Sequence, residues 1–153
     1  MTDIDTDSHV NITRAFSAPR DLVWRFWTEP ELLSRWFGPT GFHVPVEEID
    51  IDMRAGGRWN LVMVSDETGE RAPMRTDLVE VERPEYFLGD ERTAPDSGFL
   101  DNMQLRVQFH DHGEKTRVTL HQGPFTREFR DMTIEGWELS FLKLDSVFAE
   151  EYK

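Results

Sequence analysis

Three carboxylates, Glu48, Asp50 and Asp52, alternate with Glu47, Ile49 and Ile51. Read as a strand, the segment puts all three acids on one face. Such a trio is the chemistry of an oxygen-ligated divalent cation or of a general acid and base. A solvated sheet face accounts for them equally well, because the chain carries 30 acidic against 17 basic residues. Asp52 has a further use: Arg54, two positions on, points to the same side and can pair with it to fix the turn at Gly56-Gly57. His110-Asp111-His112 brings two imidazoles together, but Gly113 follows and no third ligand accompanies them, so a hairpin tip is the plainer reading. His121 falls among outward-facing residues of its strand. His43 sits between Gly41 and Pro45 with no partner nearby in sequence. There is no cysteine to act as nucleophile or thiolate ligand. No Gly-x-Ser-x-Gly elbow, phosphate loop or dinucleotide glycine motif is present, and Ser97 in Asp-Ser-Gly-Phe is turn chemistry. The sequence therefore assigns no catalytic residue, no metal site and no cofactor.

The sharper candidate is apolar. Alternating positions place Trp59, Leu61, Met63, Met74, Thr76, Leu78, Met103, Leu105 and Val107 on one side of successive strands. A late helix faces them with Trp137, Ser140, Phe141 and Leu144. Together these residues would line a cavity for a hydrophobic or amphipathic small molecule, and methionine suits irregular ligand shapes. Only Thr76, Ser140 and Gln122 add polarity, and none is an acid or a base. The alternative is that the same side chains fill the space and leave no cavity.

The elements that must position this lining are legible in outline. Val10 to Phe16 alternates as a first strand. Ser17 or Ala18 then caps a short helix with Pro19 at its first position, and Leu22, Val23, Phe26 and Trp27 form its apolar face. Pro30 ends that helix and opens another over Glu31 to Trp36. Strands follow at about Val46 to Met53, Arg58 to Val64, Arg71 to Glu82, Tyr86 to Gly89, Met103 to His110, and on through Gln122, where Gly123-Pro124 is predicted to break the sheet. Thr93 to Gly98 is the longest irregular stretch. Last comes a helix starting between Thr126 and Thr133, with Ile134, Trp137, Phe141, Leu144 and Phe148 on one stripe at spacings of 3, 4, 3 and 4. Short turns between consecutive strands imply antiparallel pairing.

The bulk numbers agree with one folded unit: an acidic tail over residues 1–8, then a single domain over 9–153. Five tryptophans and eleven phenylalanines are too much ring surface to leave exposed. A formal charge of −13 repels phosphate backbones and anionic membranes, which disfavours nucleic acid as a partner. No apolar run approaches the roughly 20 residues of a membrane span, and the first residues are unlike a secretory signal. With no cysteine, a cytoplasmic location is expected.

Four segments carry a resemblance: Arg14-Ala-Phe-Ser-Ala-Pro-Arg-Asp-Leu-Val-Trp24, Leu33-Ser-Arg-Trp-Phe-Gly-Pro39, Asp52-Met-Arg-Ala-Gly-Gly-Arg-Trp59, and Glu135-Gly-Trp137 with Leu144. In this order, from about Val10 to Ala149, the chain resembles the AHSA1-like family, that of the C-terminal domain of the activator of Hsp90 ATPase, within the START-like (SRPBCC) superfamily. The resemblance implies an α+β helix-grip fold. In it a curved antiparallel sheet of about six to seven strands wraps around a long C-terminal helix, with two short helices after the first strand. It implies three possible roles. One is a binding module for a hydrophobic small molecule; another is a protein-interaction module acting on a chaperone such as Hsp90. The third is a cyclase- or hydrolase-like enzyme with polar groups such as Arg92 or Asp101 reaching the cavity. The chain has no counterpart of the co-chaperones' separate N-terminal domain, which weighs against the second role. A monomer or a homodimer fits equally.

Overall fold

The computed structural model of the chain describes residues 9–92 and 99–151; the side chains of residues 92, 99–102 and 151 lie outside the description. The irregular stretch from Thr93 to Gly98 and the acidic tail, both expected from sequence, also fall outside it. β1 (Val10–Phe16) leads to α1 (Arg20–Thr28), with Pro19 as its N-cap, one place earlier than the first helical position predicted for it. Pro30 has no N–H to offer Phe26 O, so α1 stops there and α2 (Pro30–Leu33) begins. Two of the carbonyls left open at that end are met by indoles. Trp36 Nε1 donates to Phe26 O at 2.9 Å, and Trp59 Nε1 donates to Trp27 O at 2.8 Å. Both tryptophans are buried, so each is a core side chain and a helix cap at once.

The remaining strands are β2 (Phe42–His43), β3 (Asp50–Asp52), β4 (Arg58–Ser65), β5 (Arg71–Glu82), β6 (Tyr86–Arg92), β7 (Phe99–His112) and β8 (Lys115–Phe125). They form one antiparallel sheet in the order β1-β8-β7-β6-β5-β4-β2, with β3 also paired to β4. The sheet curls around α3 (Arg127–Glu151), and the predicted ring stripe faces inward: Trp137, Phe141, Leu144 and Phe148 are each 5% exposed or less. Phe148 meets Phe26 edge-on at 5.0 Å, and Phe141 meets Phe16 at 5.4 Å. Arg14 pairs with Asp145, tying β1 to the same helix.

Three expected boundaries are corrected. Val46 to Met53 is not one strand. Pro45 starts a 3-10 turn over Val46–Glu48, closed by Glu48 N–H to Pro45 O and Ile49 N–H to Val46 O, and only Asp50–Asp52 pairs with β4. Gly123-Pro124 does not break the sheet: β8 runs on to Phe125. The β7–β8 register slips there, between Gln104 opposite Gly123 and Phe99 opposite Phe125, and such an irregularity admits a residue without an N–H. Tyr86 to Gly89 is also too short, because β6 continues to Arg92.

Candidate functional site

The hollow of the sheet is filled at one end and open at the other. Large rings from α1 and the loop after α2 fill the middle. Trp27 is stacked between Trp59 and Trp137, with centroids 6.1 and 5.7 Å away, and Trp36 packs on Phe141 at 6.1 Å. Beyond this plug, under the first half of α3, lies a cavity of about 340 Å³. β4 and β5 contribute Met63, Ala72 and Met74; β6 contributes Glu91; β8 contributes Gln122 and Phe125. α3 covers it with Phe129, Met132, Thr133, Gly136, Trp137 and Ser140, and the loop before β2 closes a side with Phe37 and Pro39. Two small residues in the lining, Ala72 and Gly136, leave room that larger side chains would occupy. Met132, 61% exposed, stands where the space meets solvent. Lys143 holds the loop to α3, donating to Phe42 O at 3.0 Å, and burial lowers its pKa.

Within this apolar wall runs one polar chain. Trp137 Nε1 donates to Gln122 Oε1 at 2.8 Å. An indole N–H can only donate, so the Gln122 oxygen must face it and the amide NH₂ must turn the other way. That NH₂ donates to Glu91 Oε1 at 2.5 Å. Gln122 is 2% and Glu91 9% exposed, and all three side chains line the cavity. Burial pushes the Glu91 carboxyl up to about 7, against the smaller opposing pull of the Gln122 hydrogen bond.

The consequence for stability has a definite sign. Between its ordinary value of 4.5 and about 7, Glu91 keeps its proton in the folded chain and loses it in the unfolded one. Its contribution to stability is complete below 4.5, falls as pH rises through this window, and is lost above about 7. The displacement is equivalent to about 3 kcal/mol. Glu91→Gln keeps an acceptor for Gln122 and removes the buried charge, at the cost of an amide NH₂ facing the cavity. It should raise unfolding free energy by about 2 kcal/mol at pH 8 and change it little at pH 4. Urea unfolding of both proteins at the two pH values checks this; an equal loss at both would overturn it.

Of the lining residues expected from sequence, the structure brings Met63, Met74, Trp137 and Ser140 to the cavity, with Gln122. Trp59, Leu61, Thr76, Leu78, Met103, Leu105, Val107, Phe141 and Leu144 lie buried in the packed remainder of the concave face, each 3% exposed or less. The Thr76 hydroxyl has no partner there. Ser140 Oγ turns back to Gly136 O at 3.0 Å. Glu91 lies beyond the strand end expected at Gly89, on the continuation of β6. Continued alternation of Phe87, Gly89 and Glu91 is the signal that finds it. The side chains of Arg92 and Asp101 lie outside the described residues.

The other candidates are dispersed. Glu48 pairs with Arg71, Asp50 with Arg58 at 2.7 Å and Asp52 with Arg54 at 2.7 Å, so each carboxylate of the supposed trio has its own arginine. The Asp52–Arg54 pair is the one expected from their spacing. His43 meets Asp66 on the neighbouring hairpin, and His121, half-buried, sits edge-on to His9 at 5.1 Å. Among the described residues no group of three or more His, Cys, Asp or Glu side chains is placed to hold a metal ion, and no helix is long and apolar enough to cross a membrane.

Comparison with known proteins sets this geometry in a family. A crystal structure of a protein from Nitrosomonas europaea is 26% identical, covering 97% of this chain and 98% of that one, with a TM-score of 0.77. The AHSA1 protein of Silicibacter pomeroyi is 24% identical over 95% of this chain and 100% of that one, with a TM-score of 0.77. A protein of Chromobacterium violaceum, 20% identical over 92% and 96%, superposes with a TM-score of 0.80. A search of curated proteins finds no match. The family model described as activator of Hsp90 ATPase homolog 1-like protein matches residues 17–149. With nearly the whole curled sheet and its long helix inside that match, the chain belongs to the activator of Hsp90 ATPase homolog 1-like family, in the START-like (SRPBCC) superfamily.

Proposed function

We propose that this protein binds a hydrophobic or amphipathic small molecule in the cavity beneath the first half of α3. The observation that carries this reading is the cavity itself: about 340 Å³ of space walled by methionines and rings, with one short polar chain set into it. Well-packed interiors do not leave voids of that size without a use. A few fixed polar groups in an apolar wall are the usual build of a site that orients a small ligand. Side-chain chemistry for bond breaking is sparse, which supports binding over turnover.

A thermal-shift screen with lipids, flavonoids, sterols and aromatic polyketides tests it. A ligand at a hundred times its Kd stabilises the folded chain by about 2.7 kcal/mol. Gly136 provides the control. A Cβ added there meets nothing nearer than Pro39 Cγ at 3.9 Å, so larger side chains project into the cavity without a backbone clash. Gly136→Ala should add roughly 0.5–1 kcal/mol of stability, since glycine is a poor helix former. Gly136→Leu should fold and lose at least about tenfold in affinity for any compound the screen finds. A compound that binds Gly136→Leu as tightly as wild type is not in this cavity, and absence of any hit across the libraries would set the reading aside.

A further inference from the structure

The polar chain of the cavity is built from one sign of charge. Glu91 is the sole ionisable side chain among the described lining residues. It stands opposite Thr76 of β5, Gln122 of β8 bonds to it, and Trp137, Thr133 and Ser140 of α3 line the same cavity, none of them titratable; on the β7 side the side chains of residues 99–102 lie outside the described residues. No lysine or arginine of the described wall is available to meet a carboxylate, phosphate or sulfate head group. Among the described lining residues the one charge an anionic ligand would meet is Glu91. The Gln122 amide, held in one orientation by the Trp137 indole, donates to Glu91 Oε1. Among the described residues nothing partners the second carboxylate oxygen. The rings of Phe37, Phe125, Phe129 and Trp137 line the same cavity, and aromatic faces favour a cation over an anion. The chain as a whole carries −13, which draws cations toward it at long range.

Resting on the reading of the cavity as a ligand site, we propose that its occupant is a lipophilic cation: an apolar, ring-bearing body with a protonated amine, whose ammonium pairs with the Glu91 carboxylate. The ammonium donates to the open oxygen while Gln122 holds the other, and the apolar body lies against Met63, Met74 and Phe129. The amine keeps its proton. Glu91, part-protonated near neutral pH, gives up its own proton to the buffer on binding, so the charges of the ammonium and the carboxylate cancel. Affinity for the amine therefore rises with pH as Glu91 ionises, and a fraction of a proton is released per molecule bound near pH 7.

Three matched probes test this: 2-(2-naphthyl)ethylamine, 2-(2-naphthyl)ethanol and 2-naphthylacetic acid, followed by calorimetry and by Trp137-sensitive fluorescence. At pH 8 the amine should bind at least about tenfold more tightly than the alcohol, the increment typical of a charge-assisted hydrogen bond, and the acid most weakly. Amine affinity should climb between pH 6 and 8 while alcohol affinity stays level. Titrations in buffers of different ionisation enthalpy should report the released proton, a readout that needs no variant. Glu91→Gln should lose the amine preference about tenfold and flatten its pH profile, with alcohol binding kept. If the alcohol or the acid binds wild type as well as the amine, the cationic occupant is wrong and the ligand cavity stands. If no probe binds at millimolar concentration and Gly136→Leu changes nothing, the cavity reading falls as well.

Discussion

Trp27→Ala should cost about 4 kcal/mol of unfolding free energy, enough to leave a domain of ordinary stability largely unfolded at growth temperature. Trp27 is fully buried at the centre of the ring plug, between Trp59 and Trp137, with Trp36 at 5.0 Å and Phe109 at 5.8 Å. Deleting its indole removes the transfer energy of the largest side chain and leaves a void that stacked rings cannot collapse into. The effect also reaches the site, because Trp137 loses the ring behind it and with it the fixed position from which it orients Gln122. Trp27→Phe separates packing from polarity. Trp27 Nε1 is buried without a partner, so phenylalanine removes an unsatisfied donor while giving up some volume. The expected cost is about 1–2 kcal/mol. Trp59→Phe is the contrast, since it also strips the cap from Trp27 O. Urea unfolding followed by circular dichroism ranks the three; a Trp27→Ala loss below that of Trp59→Phe would refute the central role given to this ring.

Periodicity made the grip legible. A 3-4-3-4 stripe of rings has one use, against a concave apolar surface, and Trp137, Phe141, Leu144 and Phe148 are buried as that stripe requires. Clean alternation likewise gave β7 and β8, whose inward residues Leu105, Val107, Val118 and Leu120 are all 1% exposed or less. Alternation misled where proline or glycine overrode it. Pro45 set a turn in motion beneath an acidic-aliphatic pattern that reads as a strand. Gly89 looked like a strand end, yet it is glycine for a steric reason: a Cβ there would lie 2.3 Å from Thr76 Cγ2 on the neighbouring strand. The chain continues past it to Glu91, the one acid among the described residues of the cavity wall.

The cavity's extent was illegible for a different reason. Side-chain parity tells which residues face inward, but not how deeply rings from another element intrude. Trp27 and Trp36 arrive from α1 and from the loop after α2: Trp27 stacks on Trp59 of β4 and meets Phe109 of β7 edge-on, Trp36 packs on Phe141 of α3, and these rings claim the middle of the hollow. What remains is the part bounded by Ala72 and Gly136. Small residues in a shared lining are a volume signal, and volume becomes readable only after the pairing of elements is known.

Gly57→Ala should be the most damaging exchange on the surface turns, at about 3 kcal/mol, and it shows where the energy of the Asp52-to-Trp59 segment resides. A Cβ at Gly57 would lie 2.1 Å from Asp52 O and 3.0 Å from Arg54 O. Both obstacles are backbone, so no side chain can swing aside. The turn itself must move, and it is stitched to β5: Gly56 N–H donates to Leu78 O at 2.8 Å and Leu78 N–H to Gly57 O at 3.0 Å. Those bonds carry the β4–β5 pairing on to Leu78, where the separate β5–β6 register shifts, and Trp59, two residues on, must stay seated to cap Trp27 O. Gly56→Ala differs in kind. Its φ of +85° is left-handed, but a Cβ there has nothing within 4 Å, so the cost is conformational, about 1–2 kcal/mol. Arg54→Ala breaks only an exposed ion pair with Asp52 and should cost less than about 1 kcal/mol. Chemical unfolding of the three variants should therefore order them Gly57→Ala, Gly56→Ala, Arg54→Ala from most to least destabilised. An alanine at position 57 tolerated as well as one at 56 would mean that the turn relaxes freely, and that Trp59 is held in place by the ring plug alone.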